Sequence, residues 1–390
     1  MTNTIKVGMV GLGLAFTPHL KGYLSHPQAE VIAVCDLNEE RAKSVATEFQ
    51  IPHVYTDYET MLREADINTV DITTPTFLHA SMTTKAAAAG KHIHCEKPFC
   101  RSVAEGLEAC DTAKSNQVKI LVGETYCFIA SHMKARALIE AGEIGRPLQI
   151  RQRHGDWLAR PKPRIYTGPK DRQWRVNPEQ SGGGNYPWIF DHAVHFFATA
   201  EYLMLDQKIA EVYAISASAG QNRQQGAEHD PYQTAEADTP IITWKYEDTA
   251  CQGLWVRGER LNGKYDFMRG FSTIVVGETG MIEVLGEGGH NLLWEGEQKH
   301  LILHRAVKET QTFRFDEGGD DVWQSDIAYY SQGHINQVHH FVDAILNDTD
   351  VRYTGEDGVR AVQCTLAAIQ SAQTGLPVVV ETVEAEFTAY

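Results

Sequence analysis

The chain has 390 residues, 43% of them apolar, and a formal net charge of −16; that length exceeds one usual hydrophobic core, so two domains are expected. The acidity disfavours nucleic acid or an anionic membrane surface as partner, and no apolar run approaches the roughly 18 residues of a spanning helix. The seven cysteines (35, 95, 100, 110, 127, 251, 364) are odd in number and form no CxxC pair, which points to reduced thiols in a cytoplasmic protein, with no disulfide framework and no metal.

The first strand starts near Ile5, leaving no room for a signal peptide. "IKVGMVGLG" (5–13) reads as a strand running into glycines, 16–26 as a helix and "AEVIAVCD" (29–36) as a second strand. A helix over 38–49 follows, with Asn38 as its N-cap. "VDITTP" (70–75) is a strand, 78–90 a helix ended by Gly90, and "KHIHCEKP" (91–98) the next strand. Strands alternating with helices of this length indicate βαβ units and a parallel sheet. Ligands of such sheets bind beyond the carboxyl ends of the strands. That is where Lys97 stands, between Glu96 and Pro98, and burying a charge there without a purpose would be costly.

The first turn carries Gly11-x-Gly13. Gly11 permits the tight turn, and Gly13 lets a pyrophosphate approach the backbone of Leu14, Ala15 and Phe16 at a helix N-terminus. Phe16 occupies the third glycine position of the usual GxGxxG pattern, a departure from it. Asp36 ends the second strand 23 residues after Gly13, where an acid accepts hydrogen bonds from the adenosine ribose and repels a 2′-phosphate. The expected cofactor is therefore NAD, although Arg41 lies near enough in sequence to favour a phosphate. Thr73, Thr74 and Pro75 follow a strand and are placed to line the cofactor, as are Glu96 and Lys97. His79 reads equally as a helix-start residue or a cofactor contact.

Farther along, 147–154, 210–218, 239–247 and 250–259 read as strands without intervening helices, and 272–287 as a hairpin turning at "GETG". This suggests an antiparallel sheet. Helices return at 333–347 and 356–374. The His339-His340 pair has no companions at metal-ligand spacing and reads as structural. The expected division is a nucleotide-binding domain over 1–126 and a substrate-binding and oligomerisation domain over 127–390, with packing of the C-terminus back across the boundary as the alternative.

Together "VGLG", "AVCD", "TPTFLHA" (74–80), "AAAAGKHIHCEKP" (86–98), "AGEIGRP" (141–147) and "SGGG" (181–184) with Asp191 and His195 resemble the glucose–fructose oxidoreductase and inositol dehydrogenase (Gfo/Idh/MocA) family. "FVDAILND", "TGEDGVRAV" and "SAQTGLPV" extend the resemblance over nearly the whole chain. It implies an N-terminal Rossmann domain with a parallel sheet, and a C-terminal α/β domain built on a large, mostly antiparallel sheet whose face commonly makes subunit contacts. A homodimer or homotetramer is the corresponding expectation. Tyr126, in "ETYCF", resembles the aromatic beside the nicotinamide, with ordinary core packing as its alternative. Six residues, 185–190, separate the glycines from Asp191, more than in many members, which leaves the shape of the substrate pocket open.

Oxidising a secondary alcohol requires a hydride acceptor, a base for the hydroxyl proton and positive charge near the developing alkoxide. Lys97 suits the last role. Asp191 and His195 stand four apart on one face of a helix, embedded by Ile189, Phe190, Val194, Phe196 and Phe197. His195 suits proton transfer, with His192 as rival, and Asp191 suits binding substrate hydroxyls or orienting the imidazole. The expected activity is NAD-dependent oxidation of a sugar, polyol or anionic sugar derivative. A redox glycosidase using catalytic NAD is the alternative, and a non-catalytic redox sensor a more distant one. Residues 151–175 hold eight Lys/Arg and two acids, a local charge of +6. Trp157, Arg160, Arg164, Tyr166, Trp174 and Arg175 there are candidate substrate contacts, because indole faces suit sugar rings and guanidinium forks suit anions. An arm pairing with another subunit is the equal alternative.

Overall fold

Strands and helices alternate at the start of the computed structural model, which describes residues 4–154, 157–158, 174, 177–184, 186–217, 239–257, 260–261, 272–285, 300–315 and 328–388. The first unit runs β1 (Ile5–Val10), α1 (Phe16–Ser25), β2 (Ala29–Cys35), α2 (Glu39–Phe49), β3 (His53–Tyr55), α3 (Tyr58–Glu64), β4 (Thr69–Ile72), α4 (His79–Ala88), β5 (His92–Glu96), α5 (Val103–Ser115) and β6 (Ile120–Gly123). All six strands are parallel, in the order β3-β2-β1-β4-β5-β6. This is the doubly wound dinucleotide-binding order.

Local chemistry sets several of these boundaries. Asn38, Asp57 and Ser102 accept the backbone N–H groups of Arg41, Thr60 and Glu105, starting α2, α3 and α5. Such caps contribute about 1 kcal/mol each. Gly90, at φ +70°, follows α4 in the left-handed conformation. Val7, Met9, Leu12, Phe16, Leu20 and Tyr23 are buried in the core between the sheet and α1.

The second unit contains α6 (Ala130–Glu140), β7 (Pro147–His154), β8 (Trp157–Leu158), α7 (Pro178–Ser181), α8 (Pro187–Leu203), β9 (Ile209–Ala217), β10 (Thr239–Tyr246), β11 (Gln252–Arg257), β12 (Arg260–Leu261), β13 (Ser272–Gly277), β14 (Gly280–Leu285), β15 (His300–Arg305) and β16 (Lys308–Arg314). With β17 (Val378–Val379) these form a nine-stranded sheet in the order β16-β15-β14-β13-β7-β11-β10-β9-β17, while β8 and β12 pair separately. Only β7 and β11 run parallel in the large sheet. One face carries buried Ile242, Trp244 and Trp255, and Phe196 of α8 stacks on Trp255 with ring centroids 4.7 Å apart. On the other face Ile215 and Ile241 sit opposite each other in register and are 54% and 48% exposed.

The chain then returns to the first unit. α9 (Ala328–Leu346) and the start of α10 (Gly355–Thr374) belong there: the division is 1–128 with 331–362, and 129–330 with 363–390. The two-block division expected from sequence assigns 331–362 to the second domain instead. The physical reason is close packing. Val338 of α9 sits against Gly22 of α1, where an added Cβ would lie 2.6 Å away, and Val359 similarly crowds Gly106 of α5. His339 shares a 2.9 Å hydrogen bond with the Ser25 hydroxyl, and His340 accepts the Arg352 N–H at 2.8 Å, both structural roles.

All seven cysteines are buried and free. Among the described residues, no helix is long and apolar enough to cross a membrane.

Candidate active site

The glycine turn is built as a cradle. Gly11 has φ +85°, and a Cβ there would lie 2.8 Å from the Thr74 backbone nitrogen. The Thr73 hydroxyl donates to the Gly11 carbonyl, binding the end of β4 to the turn. At Gly13 an added Cβ would meet nothing within 4 Å. The fold does not require glycine at 13, whereas a ligand approaching the backbone would. α1 then begins without a capping side chain and without an acid in its first turn, leaving its N-terminal dipole for an anion. Phe16 departs from the glycine pattern because its ring fills the core, 2% exposed; only its backbone can face a cofactor. Leu14 is 58% exposed.

Asp36 closes the cradle from β2. Its Oδ2 accepts the Leu12 N–H at 2.9 Å and its Oδ1 the Asn38 N–H at 2.8 Å. Oδ1 keeps a further lone pair for a ribose hydroxyl. Arg41 Nη1 lies 3.4 Å from Oδ2, so its guanidinium is already directed at this acid. These features fit a dinucleotide with free ribose hydroxyls.

Gly11→Ala and Gly13→Ala should therefore part company. Alanine at 11 destabilises the fold, because it is both strained and crowded. Alanine at 13 leaves the thermal midpoint within about 2 °C, the scale of a surface change, yet weakens NAD binding at least about tenfold by blocking backbone approach. Calorimetry of both variants checks this, and unaltered NAD affinity in Gly13→Ala would remove the cradle from the cofactor site.

At the end of β5, Lys97 is half-buried and joined to Pro98 by a cis peptide bond. Its backbone N–H donates to Glu96 Oε2 at 3.1 Å. Glu96 is buried and fits beside β6 because residue 123 is glycine: a Cβ there would lie 2.9 Å from Oε1. His79 is buried at the start of α4, with Nδ1 2.7 Å from the Pro98 carbonyl and Nε2 2.7 Å from the Thr74 carbonyl. Burial pushes its pKa down against the pull of those carbonyls. The ring ties together the loops after β4 and β5. Pro75 is half-buried in the first of them, and Tyr126 is 4% exposed in the turn after β6.

In the second unit, Gly182 and Gly183 have φ +82° and +79°, and a Cβ on either would lie 2.5 Å from Phe190. The glycine run thus folds over the first turn of α8. Four apart on that helix come half-buried Asp191 and buried His195. His192 Nε2 lies 3.9 Å from Asp191 Oδ2. Ile189, Phe190, Val194, Phe196 and Phe197 are all buried, as the sequence implies. Of the candidate substrate contacts, Arg160, Arg164, Tyr166 and Arg175 lie outside the described residues, as does the side chain of Trp157; Trp174 is half-buried.

Sequence reasoning missed a buried polar cluster directly behind Lys97. Asp71 of β4 is fully buried and stands opposite His94 of β5 in the strand register. His19 Nδ1 lies 3.0 Å from both Asp71 oxygens, and its Nε2 2.9 Å from Glu96 Oε1. The Tyr23 hydroxyl donates to Asp71 at 3.0 Å, and His334 Nε2 lies 3.2 Å from the Thr125 hydroxyl. An acid inside the apolar strand "TVDI" was the available signal, since a buried carboxylate demands partners. Two triads, His19/Glu96/His334 and His19/Asp71/His94, bring ligand-type atoms within 4.8 Å of one another. The 2.7–3.0 Å separations of the His19 and His94 contacts are those of hydrogen-bonded pairs. Ligands spread around a zinc ion stand about 3.3 Å apart.

Comparison with known proteins agrees with this architecture. Residues 5–124 match the model of an oxidoreductase family with an NAD-binding Rossmann fold, and 136–380 match that family's C-terminal alpha/beta domain. The chain is 26% identical over 375 residues to a 1,5-anhydro-D-fructose reductase from Ensifer adhaerens, covering 96% of this chain and 98% of the relative. It is 26% identical over 382 residues to a scyllo-inositol 2-dehydrogenase (NAD(+)) of Bacillus subtilis, covering 97% of each. A levoglucosan dehydrogenase solved with NADH and levoglucosan shares the fold, with TM-score 0.77, 23% identity and coverage of 97% of this chain and 99% of that one. The chain belongs to the Gfo/Idh/MocA family of oxidoreductases, with an NAD-binding Rossmann domain followed by the family's C-terminal α/β domain.

Proposed function

We propose that this protein is an NAD-dependent dehydrogenase that oxidises a secondary hydroxyl of a sugar, polyol or sugar derivative. The observation that carries this reading is Lys97 at the carboxyl end of β5, on the ligand side of the NAD-binding sheet. NAD, when bound, supplies the hydride acceptor. The Lys97 ammonium donates to the substrate oxygen and stabilises it as it becomes an alkoxide. His195 takes the hydroxyl proton, and Asp191 binds neighbouring hydroxyls. Tyr126 and Trp174 are proposed to border the sugar ring, and the arginines of 151–175 to meet an anionic substituent. A homodimer or homotetramer is proposed through the sheet face that bears Ile215 and Ile241, since paired exposed isoleucines favour burial.

The relatives set the first trial substrates. NADH formation is measured with scyllo-inositol and levoglucosan, and NADH consumption with 1,5-anhydro-D-fructose. A panel of neutral and acidic sugars and their glycosides follows. The reading expects net cofactor turnover with at least one polyol or sugar. Glycoside cleavage at constant NADH would replace it with the redox glycosidase.

Cofactor choice is checked separately at Asp36. Asp36→Ala should weaken NAD binding more than NADP binding, because it removes both a ribose acceptor and a charge that repels phosphate. Unchanged discrimination in paired titrations would contradict the role given to Asp36.

A further inference from the structure

We propose that His19 is a positioning residue: a buried, doubly protonated imidazolium, held between the Asp71 and Glu96 carboxylates, that fixes the Glu96–Lys97 turn. This rests on the reading of Lys97 as the group facing the substrate oxygen. The geometry of hydrogen bonding carries the argument. Both ring nitrogens of His19 face carboxylate oxygens at 2.9–3.0 Å. An ionised carboxylate only accepts, so each nitrogen must donate, and only the imidazolium has two N–H groups.

Every neighbouring group fits that assignment. From β5, His94 stacks on His19 with centroids 4.4 Å apart and planes within 7°. Two stacked imidazolium ions would repel, and His94 is arranged to stay neutral. Its Nδ1 lies 2.7 Å from Asp71 Oδ2, while its Nε2 faces the side-chain nitrogen of Gln337 from α9. With the Gln337 amide in that orientation it donates to Nε2, which leaves the His94 proton on Nδ1 for Asp71. Burial holds the His94 pKa down, with the charge on His19 adding to this, whereas the two carboxylates raise that of His19 to about 10 against its own burial. Tyr23, on the same helix as His19, donates to Asp71. His334 of α9 approaches with its ring centroid 5.3 Å from that of His19.

The charges also balance. Asp71 and Glu96 contribute two negative charges, matched by His19 and the ammonium of Lys97. Without His19, Asp71 would be left unmatched in the core, and Glu96 would hold the turn alone through the Lys97 N–H. The cluster also connects α1, the helix that receives the cofactor phosphates, to the strand that presents Lys97.

The test needs no substrate. The full-length protein, labelled with ¹⁵N in its histidines, is followed by NMR from about pH 6 to 9, across and beyond the ordinary histidine range. One imidazole should remain doubly protonated at about pH 8.5, where an ordinary histidine is about 99% neutral. That signal should vanish in His19→Gln and titrate at least about one unit lower in Glu96→Gln, which removes one of its two carboxylates. In His19→Gln the Lys97 amide should exchange with deuterium at least about tenfold faster while the rest of the sheet stays protected. If His19→Gln does not fold, the wild-type titration and Glu96→Gln still decide the matter. No imidazolium surviving at about pH 8.5 in the wild type, or one indifferent to Glu96→Gln, would overturn the proposal. Normal turnover by Lys97→Ala would instead overturn the reading of Lys97 and leave the NMR result standing, so the two failures are distinguishable.

Discussion

Lys97→Ala and His195→Ala each lower turnover at least about 10²-fold while NAD affinity stays within about threefold. The expected size follows from the chemistry. Removing an aligned charge from a developing alkoxide, or the acceptor of its proton, raises the barrier by about 2.7 kcal/mol or more. NAD affinity is spared under the proposed reading, in which the glycine turn, the uncapped start of α1 and Asp36 would hold the cofactor and neither side chain is its main contact. Asp191→Asn should behave differently, chiefly raising KM if its carboxylate positions substrate. Single-turnover and steady-state rates on a responsive substrate, beside NAD titrations, separate these outcomes. Near-normal turnover in either alanine variant removes that residue from the mechanism.

The second large effect is on stability against pH. The His19 pKa is raised from 6.5 to about 10 in the folded protein. Its contribution is therefore fully present below pH 6.5 and is lost as pH rises toward 10, amounting to a few kcal/mol over that window. The opposite sign holds for histidines whose charged form is disfavoured by desolvation. Half-buried His92 and His340 and buried His94 have depressed values, chiefly for that reason, so their contribution is present above 6.5 and is lost as pH falls. Glu96, desolvated by burial but brought to about 2 by His19 and its neighbours, contributes above 4.5 and fails toward 2. Stability should thus be greatest near neutrality.

His19→Gln should cost about 3–5 kcal/mol at neutral pH, the usual result of leaving one side of a buried ion cluster unmatched. It should also flatten the decline between about pH 7 and 9. Buried thiols such as Cys35, whose pKa burial pushes to about 12, weaken both proteins in alkali. The difference between their urea midpoints isolates His19. Parallel curves for wild type and variant from neutral pH to 9 would contradict the charge assigned to it.

Much of this molecule is legible in its sequence. The alternation over 5–98 yields four of the six strands of the Rossmann sheet, β1, β2, β4 and β5, because apolar runs bounded by glycine, aspartate and proline admit little else, while the short β3 and β6 are not read from it. Asn38 as cap, Gly90 as stop and the two-residue turn of the β13–β14 hairpin follow from backbone chemistry that acts within a few residues. The sequence allows the C-terminus to pack back across the boundary but does not show which helix returns, since an amphipathic helix shows which face it buries but not against which sheet. Gly22 is a hint in hindsight: it lies mid-helix because Val338 needs its space.

The cluster behind Lys97 was hidden for the same reason. His19, Asp71, His94 and His334 come from α1, β4, β5 and α9, and only strand register and helix packing bring them together. Asp71 alone was conspicuous, as a charge within an apolar strand. The Asp191/His195 pair was readable because it rests on helical spacing within one element. The basic stretch 151–175 owes its interest to composition, and composition does not specify what its arginines face.

The central claim, that this chain turns over NAD on a carbohydrate-like alcohol through Lys97 and His195, is tested most directly with a polyol deuterated at its carbinol carbons. Wild-type protein is incubated with NAD and deuterated scyllo-inositol, levoglucosan or the responsive sugar from the panel, and the reduced cofactor is analysed by mass spectrometry. The account predicts reduced cofactor one mass unit heavier, accumulating in proportion to oxidised product and falling at least about 10²-fold in Lys97→Ala and His195→Ala. Deuterium absent from the cofactor, or equal accumulation in the wild type and both variants, would contradict it.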